Sequence, residues 1–206
     1  MNEPVAIAIL AKAPAPGFAK TRLIPVLGAE RAALLQAALI ERTAQTACAA
    51  AVGPVTLWAT PDDSHRSFQA VGAKYGISIR RQAAGDLGER MLAAMTAANA
   101  PALVIGTDCP ALTPAHLRCA ADMLLGGSDA VVLPAEDGGY VLIGTRNAQP
   151  ALFADMRWGS SEVMEATRRR LRKLGLSWQE PATLWDLDVA EDLYRLRELG
   201  LEALLL

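Results

Sequence analysis

The feature that most constrains the fold is the alternation of short apolar runs with longer amphipathic segments. The first run, VAIAILA at residues 5–11, is continuous and contains β-branched residues, which is typical of a strand buried on both faces. Similar runs follow: VTLWAT at 55–60, ISIRR at 77–81 and ALVIGTD at 102–108. Helical patterns separate or follow the runs, at 29–51, 64–75, 87–99 and 114–125. This order predicts an α/β fold with a mostly parallel sheet and helices on both faces.

One antiparallel hairpin is predicted in addition to the parallel strands. The stretch DAVVLPAEDGGYVLIGT reads as two strands joined around the tight turn at Gly138 and Gly139. The chain has 206 residues and shows neither an internal repeat nor a linker, so we expect a single domain spanning residues 1–206.

Composition excludes several classes of protein. A net charge of −2 argues against a general nucleic-acid binder, which carries a basic excess. No apolar run reaches the length of a membrane span, and the first run lacks the basic flank of a signal peptide. Three scattered cysteines and two histidines predict neither a disulfide framework nor a zinc site. These observations lead us to expect a cytoplasmic protein without nucleic-acid or membrane partners.

The first loop carries an unusual concentration of cations. The stretch AKAPAPGFAKTRL follows the first strand and places Lys12, Lys20 and Arg22 on a segment stiffened by prolines. It is not a P-loop, because Pro14 and Ala19 stand where that motif requires glycines. The charges fit a solvated connection, or a cradle for a polyphosphate in which arginine offers a planar fork and lysine a compact charge.

An aspartate follows the fourth predicted strand. In open α/β sheets, ligands bind beyond the carboxyl ends of the strands, where Asp108 of GTDCPAL is expected to lie. Thr113, followed by Pro114, is the better N-cap of the next helix. Asp108 is therefore available to bind a hard divalent cation such as Mg²⁺.

The stretch RQAAGDLGERM, after the third predicted strand, has two interpretations. The amide of Gln82 can donate and accept hydrogen bonds together, as reading a nucleobase edge requires, and Gly85 and Gly88 would let the backbone approach a flat ring. Alternatively, Asp86 caps the following helix and Gln82 is an ordinary surface residue.

Two acids in WDLDVAEDL near the chain's end are metal candidates. Asp188 and Glu191 have the spacing of an N-cap and its reciprocal partner. Asp186 has no such structural explanation and is the better candidate for a second metal ligand, with Asp188 as the alternative.

The order of these motifs resembles a known family. The blocks KAPAPGFAKTRL, GDLGERM, GTDCPAL, DGGYVLIG, RWGSSEV and WDLDVAEDL resemble those of a bacterial glycosyltransferase-like group. That group is related to the molybdenum-cofactor guanylyltransferases and the 2-phospholactate guanylyltransferases. The resemblance spans nearly the whole chain and implies the glycosyltransferase-A fold of nucleotide-diphospho-sugar transferases.

The resemblance also implies roles for particular residues. Arg22 corresponds to the arginine that holds the nucleotide's phosphates, and Lys20 substitutes for a lysine that many relatives carry after that arginine. Asp108 and Asp186 correspond to the two metal-binding aspartates. The other implied residues are nucleotide-binding Ala11, Lys12, Gly17, Gln82 and Gly85, and acceptor-binding Asp137, Gly138, Gly139 and Tyr140.

The reaction implied is a metal-dependent nucleotidyl transfer. An acceptor phosphate or hydroxyl would attack the α-phosphate of a nucleoside triphosphate, with Mg²⁺ (or Mn²⁺) at Asp108 and Asp186 and release of pyrophosphate. The alternatives are a glycosyltransferase that uses a nucleotide-diphosphate sugar, or a nucleotide-binding module without activity. Sugar transferases of this fold usually carry Asp-x-Asp at the metal strand, whereas Asp108 is followed by Cys109 and Pro110, as in the nucleotidyltransferases.

Overall fold

A seven-stranded sheet organises the described part of the chain, which is residues 3–99 and 101–205 of a computed structural model. The strands are β1 (Ala6–Lys12), β2 (Val55–Thr60), β3 (Ser78–Arg81), β4 (Ala102–Ile105), β5 (Ala130–Pro134), β6 (Tyr140–Thr145) and β7 (Trp178–Gln179). Their order is β3-β2-β1-β4-β6-β5-β7, and β6 runs antiparallel to both of its neighbours. The remaining pairings are parallel, which confirms the predicted mixed sheet with one hairpin.

Helices connect the strands. They are α1 (Ile24–Leu27), α2 (Ala29–Ala50), α3 (Arg66–Tyr75), α4 (Leu87–Ala98), α5 (Pro114–Leu125), α6 (Pro150–Phe153), α7 (Val163–Lys173) and α8 (Asp192–Glu198), with 3₁₀ turns at Thr21–Leu23 and Glu202–Leu205. Thr113 caps α5 in a reciprocal capping box with His116, as its place before Pro114 predicts. Over residues 3–99 and 101–205, none of these helices combines the length and apolarity needed to span a bilayer.

Side chains that alternate along the strands build a core on each face of the sheet. Ile7 and Ile9 of β1 face one way, into a cluster with Ile40 of α2. Ala8, between them, faces the other way, into a cluster with Met91 of α4 and Met164 of α7. The predicted helices on both faces are therefore confirmed.

A third, smaller apolar cluster fastens the C-terminal segment to the rest of the protein. Trp185 and Leu187 pack against Leu23 and Leu39, and Leu196 of α8 completes the contact. The backbone N–H of Leu187 also donates to the carbonyl oxygen of Asp108 at 2.8 Å. This packing brings the end of the chain beside the loop that follows β4.

Candidate active site

A cavity of about 310 Å³ lies beyond the carboxyl ends of β1 and β4. Cations and carboxylates from distant parts of the chain share its wall: Lys12, Lys20, Arg22, Arg90, Asp108 and Asp188. This is the location that the parallel sheet predicts for a ligand, because helices and loops leave a crevice where the strands end.

The side chain of Lys20 is buried between two carboxylates at the centre of this wall. The side chain is 4% exposed, and its ammonium pairs with Asp108 Oδ1, donates to the Leu187 carbonyl oxygen at 2.6 Å and lies 3.4 Å from Asp188 Oδ1. The backbone of Lys20 is left-handed, with φ of 48°, a conformation that costs a non-glycine residue about 1 kcal/mol or more. We infer that these side-chain contacts hold the strained loop in place.

This geometry disagrees with the predicted role of Lys20 as a phosphate ligand. An ammonium has three hydrogens to donate, and Lys20 has three partners within the chain. Arg22 is different, because its side chain is 72% exposed and its nearest acid, Asp188, is 3.9 Å away. Arg22 is therefore open to a phosphate, whereas Lys20 joins two segments of the protein.

Asp186 and Asp188 project from one side of an extended segment whose other side is buried. Trp185 and Leu187 enter the third cluster, so the intervening acids point away from it, as alternation along an extended chain requires. The predicted capping role of Asp188 is wrong. Helix α8 begins at Asp192, whose carboxylate accepts from the backbone N–H of Asp188 at 2.8 Å, while Asp188's own carboxylate faces Lys20.

The carboxyl group of Asp186 lies among other negative charges. Burial, followed by the charges of Asp108, Asp137 and Asp188, raises its pKa from 3.8 to about 7, and Lys20 opposes this only in part. A carboxyl whose pKa is higher in the folded state binds its proton more tightly there. Its contribution to stability is therefore present below about pH 4 and is lost as pH rises towards 7.

The raised pKa of Asp186 predicts that the stability of the protein depends on pH through this residue. Between pH 4.5 and 7, raising the pH is expected to lower the free energy of unfolding of the wild type relative to Asp186→Asn, which cannot ionise. Urea unfolding of both proteins at several pH values measures the difference and cancels the titration of other groups. A difference that stays constant over this range would contradict the charged surroundings of Asp186.

A second cavity, of about 220 Å³, adjoins the first through shared residues. Asp108 lines both cavities, and Asp186 and Tyr140 line only the second. Asp108 and Asp186 are thus brought to one wall, as predicted for a pair of carboxylates that share a cation.

The donor set suits a divalent ion that arrives with a ligand. Among residues 3–99 and 101–205, no group of three or more His, Cys, Asp or Glu side chains is arranged to hold a metal. Two carboxylates are nevertheless what Mg²⁺ commonly takes from a protein, since water and substrate phosphates complete its shell. Asp108 accepts from Lys20 through Oδ1, which leaves Oδ2 as its oxygen for such an ion.

Three of the predicted nucleotide-binding residues, Ala11, Lys12 and Gln82, line the first cavity. The amide nitrogen of Gln82 donates to the carbonyl oxygens of Trp58 at 2.8 Å and Ala11 at 3.2 Å. Both N–H groups are therefore engaged with the ends of β1 and β2, and only the amide oxygen is available to a base. The two-sided reading predicted for Gln82 is not supported by these contacts.

Gly17 and Gly85, the other predicted nucleotide-binding residues, lie outside the lining of both cavities. Gly85 has a φ of 104°, and a Cβ there would lie 1.9 Å from Glu89 Oε2. Glu89 accepts from the backbone of Asp86, which caps α4 in a complete capping box. Gly85 therefore allows this helix start to form, and the alternative prediction for Asp86 is confirmed.

The predicted acceptor block separates in the same way. Tyr140 lines the second cavity, whereas Asp137, Gly138 and Gly139 line neither. A Cβ on Gly138 would lie 2.1 Å from the Ser161 carbonyl oxygen, and Gly139 donates its N–H to Asp137 Oδ1. These three residues build the turn between β5 and β6, and the charge of Asp137 is one of those that raise the pKa of Asp186.

Sequence reasoning missed Arg90 and a buried polar pair. Arg90 lines the first cavity and donates through Nε to the Gly85 carbonyl oxygen. Gln36, buried in α2, donates to Thr107 Oγ1 at 3.0 Å and fixes the loop before Asp108. The signal for Gln36 was a long polar side chain on a helix face made mostly of alanine, leucine and isoleucine, and Arg90 was visible inside GDLGERM.

The fold is that of the nucleotide-diphospho-sugar transferases. The chain belongs to DUF2064, a family described as an uncharacterized protein conserved in bacteria, which matches residues 43–160. A crystal structure from Desulfovibrio desulfuricans G20, described as a candidate nucleotide-diphospho-sugar transferase, is 28% identical, with a TM-score of 0.84 over 98% of this chain and 96% of that one.

Two more distant structures share the fold alone. Rv0371c of Mycobacterium tuberculosis H37Rv, in complex with manganese, is 17% identical, with a TM-score of 0.56 over 94% of this chain and 98% of its own. CMP:2-keto-3-deoxy-manno-octonic acid synthetase, in complex with CTP, is 12% identical, with a TM-score of 0.58 over 97% and 99%. No curated protein is similar enough to the chain to count as a match.

Proposed function

We propose that this protein is a metal-dependent nucleotidyltransferase. It moves a nucleoside monophosphate from a nucleoside triphosphate to a small acceptor and releases pyrophosphate. The observation that carries the proposal is the first cavity, in which the exposed Arg22 faces the half-exposed carboxylate of Asp108 at the ends of the central strands.

The structural neighbours support transferase activity of this general kind. The Desulfovibrio protein is described as a sugar transferase, and the synthetase structure contains a nucleoside triphosphate. The manganese in Rv0371c supports the use of a divalent cation.

Each charged residue then has a distinct task. Three cations line the first cavity and offset the negative charge of the triphosphate: Arg22, Lys12 and Arg90. Each arginine can bind two oxygens of one phosphate through its planar guanidinium group. Asp108 and Asp186 would hold Mg²⁺ or Mn²⁺. That ion supplies charge stabilisation at the phosphates when it is bound.

The transfer itself needs no nucleophilic side chain. An oxygen of the acceptor forms a bond to the α-phosphorus, and the bond from that phosphorus to the bridging oxygen breaks. The pyrophosphate leaves with the electron pair of the broken bond. Catalysis in such a reaction rests on position and electrostatic field, which is consistent with a site built from charged groups on rigid strand ends.

Sugar transfer is the second candidate, because the Desulfovibrio protein bears that description. Charge favours nucleotidyl transfer. A triphosphate carries about four negative charges at neutral pH and a nucleotide-diphosphate sugar about two. A divalent ion nearly balances the sugar nucleotide by itself, which would leave little negative charge for Arg22, Lys12 and Arg90 to offset.

The two reactions are separated by their products. The purified protein is incubated with Mg²⁺ or Mn²⁺ and each of the four nucleoside triphosphates, together with a pool of small alcohols and phosphate esters, and pyrophosphate is assayed. We expect pyrophosphate with at least one triphosphate. Nucleoside diphosphate from a nucleotide-diphosphate sugar, with no pyrophosphate from any triphosphate, would favour sugar transfer.

The role of Arg22 gives a quantitative prediction. Arg22→Ala is expected to weaken triphosphate binding by about 1.5–3 kcal/mol, the range for hydrogen bonds to charged groups. The melting temperature should change little, because an exposed arginine contributes little to stability. Calorimetric titration measures the affinity, and Arg169→Ala, at an exposed position of α7, is the matched control. If Arg22→Ala and Arg169→Ala bound triphosphate with equal affinity, the first loop would be an ordinary solvated connection and not a phosphate-binding loop.

A further inference from the structure

The second cavity differs in character from the first. Its wall is mainly aliphatic and thioether, with Leu10, Leu87, Met91, Val104, Ile105 and Val141. No lysine or arginine is among the described residues that line it, and its charged members are Asp108 and Asp186. A molecule held here therefore meets an apolar surface and carboxylates, and its position beside the first cavity places it next to the phosphates of a bound nucleotide.

Among the described residues, two neutral polar side-chain groups lie in this wall: the hydroxyl of Tyr140 and the thiol of Cys109, which is the weaker donor. Within the described residues, the hydrogen-bond partner of the Tyr140 hydroxyl is the sulfur of Met91, at 4.0 Å, which is a weak acceptor. Burial raises the pKa of Tyr140, so its hydroxyl stays protonated and is a donor. The ring of Trp158 contacts Tyr140 edge-on. Its indole N–H has no hydrogen-bond partner among the described residues. A buried donor without a good acceptor is unfavourable, so the hydroxyl of Tyr140, which lines the cavity, favours a ligand that supplies an acceptor; Trp158 lines neither cavity.

We propose that the second cavity binds the acceptor of the transfer reaction, and that this acceptor is a small neutral alcohol with an apolar body. The proposal rests on the proposed function and narrows it from phosphates or alcohols in general. The aliphatic wall covers the carbon skeleton, and Tyr140 donates to an oxygen of the acceptor. No lysine or arginine among the described lining residues is available to hold a phosphate, which disfavours a phosphorylated acceptor.

The reaction balances with an alcohol. The oxygen of its hydroxyl group forms the new bond to the α-phosphorus, pyrophosphate leaves with the electron pair of the broken bond, and the hydroxyl proton passes to water. The products are a nucleoside-monophosphate ester of the alcohol and free pyrophosphate.

Two probes with the same carbon ring test the proposal in the absence of nucleotide. Cyclohexanol has one hydroxyl on an apolar ring, and myo-inositol has a hydroxyl on every carbon of that ring. In saturation-transfer NMR we expect a signal from cyclohexanol and none from myo-inositol. Tyr140→Phe should weaken cyclohexanol binding about tenfold, the loss of one hydrogen bond. Leu87→Trp, which adds bulk at a partly exposed position of the wall, should abolish the signal.

A stability measurement separates a ligand role of Tyr140 from a structural one. Tyr140→Phe is expected to melt at the same temperature as the wild type or higher, because the hydroxyl has only a sulfur partner in the protein. If the hydroxyl of Tyr140 instead made a structural hydrogen bond, Tyr140→Phe would melt at a lower temperature than the wild type.

Binding of myo-inositol as strong as that of cyclohexanol would overturn the proposal, and so would cyclohexanol binding that is unchanged in both variants. This experiment uses no nucleotide, so its failure is distinct from a failure to release pyrophosphate. Conversely, the protein could bind cyclohexanol but release no pyrophosphate from any triphosphate. That result would support the ligand preference of the cavity and contradict the proposed nucleotidyl transfer.

Discussion

Lys20→Met is expected to lower the free energy of unfolding by about 1–3 kcal/mol. The variant keeps the length of the side chain but removes the ammonium that pairs with Asp108 and Asp188 and donates to the Leu187 carbonyl oxygen. The loss should be smaller than the 3–5 kcal/mol typical of a fully buried broken pair, because the two carboxylates are 46% and 43% exposed and can be hydrated. Urea unfolding at pH 7 measures the change.

Lys12→Met is the matched control for this prediction. Lys12 is exposed and lies over the ring of Phe18 at 4.2 Å, so its removal should cost about 0.5 kcal/mol or less. If Lys20→Met unfolded at the wild-type urea concentration but lost affinity for triphosphate, the original prediction of a phosphate-binding Lys20 would be restored.

Asp108→Asn is expected to slow pyrophosphate release by about 100-fold or more, the effect of removing one electrostatic group from a preorganised site. The amide has nearly the same shape but cannot offer a charged oxygen to a divalent ion, and Asp108 is the acid shared by both cavities. The variant should also need a higher Mg²⁺ concentration to reach half of its maximal rate. Initial rates measured over a range of Mg²⁺ concentrations give both quantities.

Asp188→Asn provides the comparison that isolates this role. Asp188 also faces Lys20, so the neighbouring lysine loses part of its charge balance in either variant. If the metal is held by Asp108 and Asp186, Asp188→Asn should slow the reaction by about tenfold or less. If both variants lost the same amount of activity, the loss would come from the changed charge around Lys20, and Asp108 would not be acting as a metal ligand.

The fold was largely readable from the sequence. The strand VTLWAT was predicted at 55–60, which is where β2 lies, and the helix predicted at 29–51 is α2, Ala29–Ala50. These elements are set by periodic apolar patterns and by caps such as Thr113, which act over a few residues. The fourth strand was predicted to reach Asp108 but ends at Ile105, so this acid lies in the loop beyond it. Strand β7, with two residues, carried too short a pattern to predict.

The sequence also determined which acids and cations could meet, because parallel strands end at one edge of a sheet. It could not decide how they pair. Asp188 fitted a helix cap as well as a site residue, and the burial of Trp185 and Leu187 in the third cluster decided between them. Apolar and acidic residues alternate from Trp185 to Asp188, and this alternation is visible in the sequence. It shows which side the acids face only once the apolar side of the segment is packed against the rest of the protein.

What only the tertiary structure decided is the state of the charges. Lys20 and Arg22 are two residues apart and chemically similar in the sequence, yet one is 4% exposed and bound to three partners and the other is 72% exposed. The partners of Lys20 include Leu187, which lies 167 residues away, and no local pattern encodes a contact over that distance. Local sequence fixes the conformation of a segment through short-range sterics and apolar periodicity. The availability of a charge to a ligand depends on burial and on neighbouring charges, and these are set only when distant segments pack together.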